Sequence, residues 1–281
     1  MRERTTIADI QAKKRARTKI SMLTAYDKPS AEVCEEAGVD VILVGDSAAN
    51  VIHGHETTLP ITMEDMLLHA RAVARARKRC LLVADMPFLS YQTSVADAVL
   101  SAGRFLKEGL ADAVKLEGGK TVADTVRAIV DAGIPVMGHL GLTPQSVNQL
   151  SGYRVQGKDA DRATAIVEGA RALEEAGAFA IVLECVPHEL AALVTAQVSV
   201  PTIGIGAGPA CDGQVLVFHD LLGLGRGRTP RFVKRYAALM DVAVAAVQRF
   251  KADVEAGEFP GPEHGFAMDP EELKKLQALV D

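Results

Sequence analysis

The sequence predicts a (β/α)8 TIM barrel, and three observations carry that prediction. Short apolar runs recur along the 281 residues, each too short for a helix and without the strict alternation of a half-exposed strand. Amphipathic stretches with helix caps separate them. The runs number eight, the count that closes a barrel in about 250 residues. An open doubly wound sheet is the rival fold, but it would usually place a Gly-x-Gly-x-x-Gly turn after its first strand. Thr24-Ala25-Tyr26-Asp27 stands there instead.

Residues 1–19 are expected to form a preceding helix with Thr6 as N-cap. Strands are predicted at 20–25, 39–44, 80–84, 113–116, 135–138, 180–183, 201–205 and 215–219, in strict alternation with helices. Ser94 can cap a helix whose apolar positions Val95, Ala98, Val99, Ala102, Phe105 and Leu106 keep the 3.6 period, and Gly109 stops it. Thr121 begins another that ends at Gly133, and a third runs through Ile166, Ala170 and Leu173 to Gly177. C-terminal helices are expected over 229–256 and 269–280, joined by a turn around Phe259-Pro260-Gly261-Pro262. With no linker or low-complexity segment, residues 1–281 are expected to be a single barrel domain, with 1–19 as an N-terminal extension and 267–281 as a C-terminal appendix.

Composition narrows the class. The balance of 48% hydrophobic and 24% charged residues is that of a globular chain, and a formal charge of −5 argues against a nucleic-acid surface. No apolar run approaches the roughly 20 residues that span a bilayer. The basic N-terminus lacks the apolar core of a secretory signal, and Glu3 and Asp9 argue against a transit peptide. Cys34, Cys80, Cys185 and Cys211 are far apart, with no metal-ligand spacing. A reducing cytoplasm is the expected location.

In a barrel of this kind the active site lies at the C-terminal strand ends. The second strand ends in Asp46 and Ser47, the third in Asp85, the fourth carries Lys115 and Glu117, the fifth His139 and the sixth Glu184. The seventh runs into Gly204-Ile205-Gly206-Ala207-Gly208, either a tight turn or a phosphate cradle. Each residue has an ordinary alternative. Asp46 or Asp85 could be turn formers, Lys115 and Glu117 an interior ion pair, and His139 a core histidine. Convergence weighs against those readings, because several carboxylates at one mouth repel unless a cation lies among them. Oxygen donors from Asp46, Asp85 and Glu117 favour Mg2+ over zinc. A 2-keto acid would chelate such an ion, with Lys115 balancing the substrate carboxylate or a developing enolate. Glu184 is the candidate general base.

The stretches MLTAYD (22–27), LVGDSAANVIHG (43–54), TTLPIT (57–62), VADMPF (83–88), AVKLEGG (113–119), GHLGLTPQSVNQLSGYRVQGK (138–158), LECVP (183–187) and PTIGIGAGPACDGQVLV (201–217) resemble the ketopantoate hydroxymethyltransferase family along nearly the whole chain. The resemblance implies a barrel of the phosphoenolpyruvate mutase/isocitrate lyase type. It implies transfer of a one-carbon unit from 5,10-methylenetetrahydrofolate to 3-methyl-2-oxobutanoate, giving 2-dehydropantoate. The family's metal positions fall on Asp46, Asp85 and Glu117, and its substrate positions on Asp46, Ser47, Asp85 and Lys115. Its proton acceptor falls on Glu184, and His139 is left as a pocket residue of unassigned role. A homodecamer of two stacked pentamers is implied as well. Gly265 in PEHGF departs from the family's serine. Two rivals stay open. One is a Mg2+-dependent carbon–carbon lyase or phosphomutase, although the lyases' Lys-x-Cys-Gly-His motif is missing from the sequence. The other is a non-catalytic barrel holding a phosphorylated ligand at 204–208.

Overall fold

The computed structural model describes residues 4–227 and 229–280. The outer ends of the predicted N-terminal extension (1–3) and C-terminal appendix (281) lie outside them. Eight parallel strands close on themselves in sequence order: β1 Ile20–Thr24, β2 Val41–Val44, β3 Leu81–Asp85, β4 Ala113–Glu117, β5 Val136–Gly141, β6 Ala180–Glu184, β7 Thr202–Ile205 and β8 Gly213–Leu216. The predicted barrel is the observed one.

Side-chain parity divides each stave between two cores. Leu81 and Val83 of β3, Ala113 of β4, Met137 of β5 and Ala180 and Val182 of β6 pack in the barrel interior. Leu82 and Ala84, Val114 and Leu116, and Ile181 and Leu183 point outward against Met66, Leu67, Phe105 and Ile129 of the surrounding helices. A strand buried on both faces has no polar face to show, which is why β2 reads Val-Ile-Leu-Val. Each fully buried aliphatic side chain contributes roughly 1.5–3 kcal/mol. The two apolar layers therefore offset the cost of placing charged groups at one end.

The helices expected from the Thr6 and Ser94 caps begin there, whereas the one expected from Thr121 begins at Ala123. In α1 (Ile7–Arg15) the Thr6 side chain accepts from the Asp9 N–H in a capping box. This helix lies across the N-terminal end of the barrel, where Ile10 is fully buried against the interior layer. α2 (Lys28–Ala37) follows β1, and the short α3 (Ala48–Val51) and α4 (Met63–Ala76) follow β2. α5 (Val95–Lys107) starts at Ser94, whose side chain accepts from the Asp97 N–H. α6 (Ala123–Asp131) is entered through a 3-10 turn at Lys120–Val122, and α7 (Ala160–Glu175) and α8 (His188–Gln197) complete the ring.

Three expectations need correction. No helix separates β7 from β8, so strict alternation fails at the loop 206–212. The eighth strand begins earlier than predicted. Gly213 and Gln214 pair with β1, and the apolar run beyond them turns into α9 (Phe218–Leu222). The first C-terminal helix, α10 (Leu239–Ala256), starts ten residues later than the predicted 229. The intervening segment is held in non-helical form by the Tyr236 N–H donating to the Leu221 carbonyl at 2.8 Å. α11 (Pro270–Val280) lies close to its predicted span.

Candidate active site

The polar ends of the staves continue the inward parity of the apolar layer. Asp85 follows Leu81 and Val83 at two-residue steps, Lys115 and Glu117 follow Ala113, His139 follows Met137, and Glu184 follows Val182. Strand register steps them up the barrel mouth, pairing Asp85 with Lys115, Glu117 one inward position higher with His139, and Glu184 with Gly141 higher still. Every site residue predicted from the sequence lines one cavity of about 730 Å3 at the C-terminal mouth. Asp46 stands just past β2, in a turn that needs glycine before it. A Cβ at Gly45 would lie 2.7 Å from Ser47 Oγ. Ser47 in turn meets the hydroxyl of Tyr26 at 2.9 Å.

The charges form one connected network. Lys115 Nζ lies 2.6 Å from Asp85 Oδ1 and 3.3 Å from His139 Nδ1. The other Asp85 oxygen accepts from the Asp46 backbone N–H at 3.1 Å. His139 lies between two glutamates, with Nδ1 at 3.4 Å from Glu117 Oε1 and Nε2 at 3.2 Å from Glu184 Oε2. Neither Asp85 Oδ1 nor His139 Nε2 has a partner in hydrogen-bond geometry, so these contacts are electrostatic rather than well-formed bonds. Glu184 is the one glutamate of the group that reaches solvent, its side chain 17% exposed.

Burial and like charge leave the aspartates uncomfortable. Burial, then the nearby Glu117, pushes Asp46 up to about 6. Burial pushes Asp85 up to about 6 as well, with Asp46 adding to it and Lys115 opposing. Burial and the Lys115 ammonium would depress His139, but Glu117 and Glu184 outweigh them and raise it to about 9. Burial alone would also depress Lys115. Asp85, Glu117 and Asp46 together hold it charged, above the ordinary lysine range.

Two buried carboxylates, raised first by burial and then by a like-charged neighbour (Glu117 beside Asp46, Asp46 beside Asp85), make an oxygen-only donor set that a cation would relieve. Among the described residues, no three of His, Cys, Asp and Glu converge as a ready-made ligand cluster. By donor chemistry alone, two aspartate carboxylates fit Mg2+, a hard cation that takes oxygen ligands and keeps several positions for water and substrate.

Sequence reasoning keyed on ionisable groups at strand ends, so it missed neutral polar residues. Gln145, buried in the 3-10 turn Pro144–Ser146 after β5, donates to Asp46 Oδ2 at 3.0 Å. Tyr26 and Tyr91, buried beside Ser47 and Glu117, were also unassigned. Their positions in the loops after β1, β3 and β5 were the available signal. The glycines of 204–208, by contrast, answer to packing. Gly208 has φ +82°, and a side chain there would collide with the His188 Cβ at the start of α8.

Fold and site together define a closed parallel (β/α)8 barrel with an acidic mouth. Solved structures agree with the fold. A 2,3-dimethylmalate lyase, a member of the phosphoenolpyruvate mutase/isocitrate lyase superfamily, matches with TM-score 0.58 over 99% of each chain at 18% identity. A phosphonopyruvate hydrolase in complex with oxalate and Mg2+ matches with TM-score 0.61 at 15% identity, over 98% of this chain and 95% of that one. The family model described as ketopantoate hydroxymethyltransferase matches residues 4–262. The 3-methyl-2-oxobutanoate hydroxymethyltransferase of Syntrophomonas wolfei is 56% identical, covering 97% of this chain and 99% of the relative. That of Moorella thermoacetica is 58% identical, covering 94% and 98%. The chain belongs to the ketopantoate hydroxymethyltransferase family and is a transferase.

Proposed function

We propose that the chain transfers a hydroxymethyl group to 3-methyl-2-oxobutanoate, forming 2-dehydropantoate for pantothenate synthesis, with 5,10-methylenetetrahydrofolate as donor and water supplying the hydroxyl. The observation that carries this reading is the convergence of inward charges on one cavity, in which a partly exposed carboxylate, Glu184, faces the same space as Asp46, Asp85 and Lys115. Asp46 and Asp85 would hold Mg2+, with Glu117 contributing charge to the same site. When bound, the ion polarises the keto carbonyl and acidifies the neighbouring C–H.

The protein's own groups then divide the work. Lys115 and Ser47 bind and orient the keto acid, the lysine supplying a charge held by its carboxylate neighbours. Glu184 removes the C3 proton. His139, whose Nε2 lies 3.2 Å from Glu184 Oε2, is placed to orient that carboxylate. Water cleaves the donor's methylene–nitrogen bonds, releasing tetrahydrofolate and leaving the carbon as formaldehyde. The C3 carbanion equivalent attacks that carbonyl carbon, and the resulting alkoxide takes back the proton held by Glu184 to give the hydroxymethyl group. At about 730 Å3 the cavity holds far more than a five-carbon acid. Its rim residues Tyr153, Arg154, Arg231 and Phe232 suit a flat heterocycle with an anionic tail.

Closure of one barrel by strands running from residue 20 to 216 supports a single domain. α10 has no buried residue, and Val242, Val247 and Phe250 are exposed on it, which supports self-association as a homodecamer. Sedimentation of the full chain at a monomer or dimer mass would refute that. The four free cysteines suit a reducing cytoplasm, and no helix among the described residues is long and apolar enough to cross a membrane. The lyase/phosphomutase reading lacks its cysteine motif. The phosphate-binding reading leaves the convergence of carboxylates at the mouth unexplained.

Deuterium exchange at C3 of 3-methyl-2-oxobutanoate, followed by NMR without folate, tests ion, substrate and base together. Exchange is expected to require Mg2+ and to be lost in Glu184→Gln, which still binds the keto acid. Normal exchange in that variant would remove Glu184 from the role of base.

A further inference from the structure

Gln145 is a neutral residue at the centre of a charged site, and its contacts are unusually complete. Its Nε2 donates to Asp46 Oδ2 at 3.0 Å and to the Met86 carbonyl at 2.9 Å. Its Oε1 accepts from the Tyr91 hydroxyl at 2.7 Å and from Gln92 Nε2 at 3.2 Å. Its backbone N–H donates to Glu117 Oε2 at 3.0 Å. The residue is 5% exposed, so none of these bonds is readily exchanged for water.

The amide has only one workable orientation. Turned over, Oε1 would face the Asp46 oxygen and the Met86 carbonyl, acceptor against acceptor, while Nε2 would face the amide donors of Gln92. Tyr91 is itself fixed, because its oxygen also accepts from the Glu117 N–H at 3.1 Å. The chain of contacts therefore runs from the backbone of β4, through Tyr91, to the Gln145 amide and on to one oxygen of Asp46.

Residue chemistry explains why an amide stands here. A lysine or arginine would neutralise Asp46 and compete with a cation. A glutamate would set a third carboxylate against Asp46 Oδ2 and beside Glu117. An apolar side chain would leave Asp46 Oδ2 and the Met86 carbonyl buried without partners. Glutamine satisfies one Asp46 oxygen without adding charge, and no hydrogen bond among the described residues engages the other.

We propose that Gln145 is a positioning residue for the divalent cation: it fixes the Asp46 carboxylate through its side chain and Glu117 through its backbone before the ion arrives, and Tyr91 and Gln92 lock its amide. This rests on the Mg2+ reading of the site. It concerns ion binding rather than the chemical step, so it can be read without turnover.

The experiment uses Mn2+ as probe, titrated into the full-length metal-stripped protein and followed by the EPR signal of the free ion. Wild type and Asp46→Ala serve as references. Gln145→Leu is expected to weaken Mn2+ binding roughly 10–100-fold, the usual effect of removing a partner that orients a ligand. Tyr91→Phe, which keeps the bond to Asp46 but releases the lock, is expected to weaken it by a smaller factor. A folded Gln145→Leu that binds Mn2+ within about twofold of wild type overturns the proposal, since a merely structural role would lower the melting temperature and leave affinity alone. Should Gln145→Leu fail to fold, unchanged affinity in Tyr91→Phe overturns it instead. A wild-type protein that binds no Mn2+ defeats the Mg2+ reading itself, an outcome distinct from an ion-binding wild type with an equally competent Gln145→Leu.

Discussion

Glu35 at the floor of the barrel and Asp46 at its mouth are equally buried carboxylates, each 5% exposed, and they respond in opposite ways. Burial pushes Glu35 up too, but the backbone N–H groups of Cys80, Arg79 and Lys78 outweigh it and hold its pKa below the usual carboxylate range. Asp46 has one side-chain donor, Gln145, and a like-charged neighbour, and it rises to about 6. The pattern extends around each end. On the floor Asp40 accepts from Ser21 and pairs with Lys13, and Asp212 accepts from the Thr202 N–H and pairs with Lys14. At the mouth Asp85 Oδ1 and His139 Nε2 lack well-formed hydrogen bonds. Burial alone does not separate a structural carboxylate from a functional one. The supply of donors does, and the mouth is left short of them.

The sharpest way to break that comparison is to neutralise one member at each end. Asp46→Asn should cost roughly a thousandfold or more in turnover, because it removes a proposed metal ligand, while leaving the metal-free melting temperature unchanged or higher. Glu35→Gln should do the reverse. Its amide oxygen can keep the Lys78, Arg79 and Cys80 N–H bonds, but the new N–H group at the other position opposes the Arg79 donors, costing about 1–3 kcal/mol of stability with kcat within about twofold of wild type. If Asp46→Asn unfolds the protein, or Glu35→Gln abolishes turnover at a temperature where it is folded, the division between floor and mouth is wrong.

A smaller effect sharpens the same contrast through pH. The Asp46 and Asp85 values, about 6 when folded, lie above the 3.8 of the free side chain, so the folded state holds the extra protons. Their stabilising contribution is complete below about pH 4 and is lost as pH rises through about 6. Glu35, depressed in the folded state, contributes above its unfolded value and loses that contribution as pH falls. Urea midpoints from pH 4 to 7 in chelator, wild type minus Asp46→Asn, should therefore decline with pH, and Mg2+ should remove the decline above pH 6. A difference that stays flat in chelator would show that burial and like charge do not raise the mouth carboxylates.

What was legible in the sequence follows the same division. A charged residue at the end of an aliphatic run, such as Glu184 after Ala-Ile-Val-Leu, is conspicuous because burying it is costly, and every such residue proved to line the cavity. Gln145, Tyr91 and Tyr26 carry no charge, and their importance lies in partners far off in sequence, such as the Asp46 oxygen that Gln145 holds. Eight staves were visible, but the last began early, since Val215–Phe218 is apolar both in β8 and at the start of α9. The late start of α10 depended on the tertiary tie between Tyr236 and Leu221, which periodicity does not encode.

The alternation that gives each stave one inward and one outward face also fixes what kinds of change the site can survive. Along β4, Ala113, Lys115 and Glu117 face in while Val114 and Leu116 face the helices. Removing a single residue upstream within that strand would leave its composition almost intact yet turn the ammonium and carboxylate into the helical shell and two aliphatic groups into the mouth. Substitutions at these positions are graded losses. A change of strand length is a frameshift in space, and it erases the site in one step.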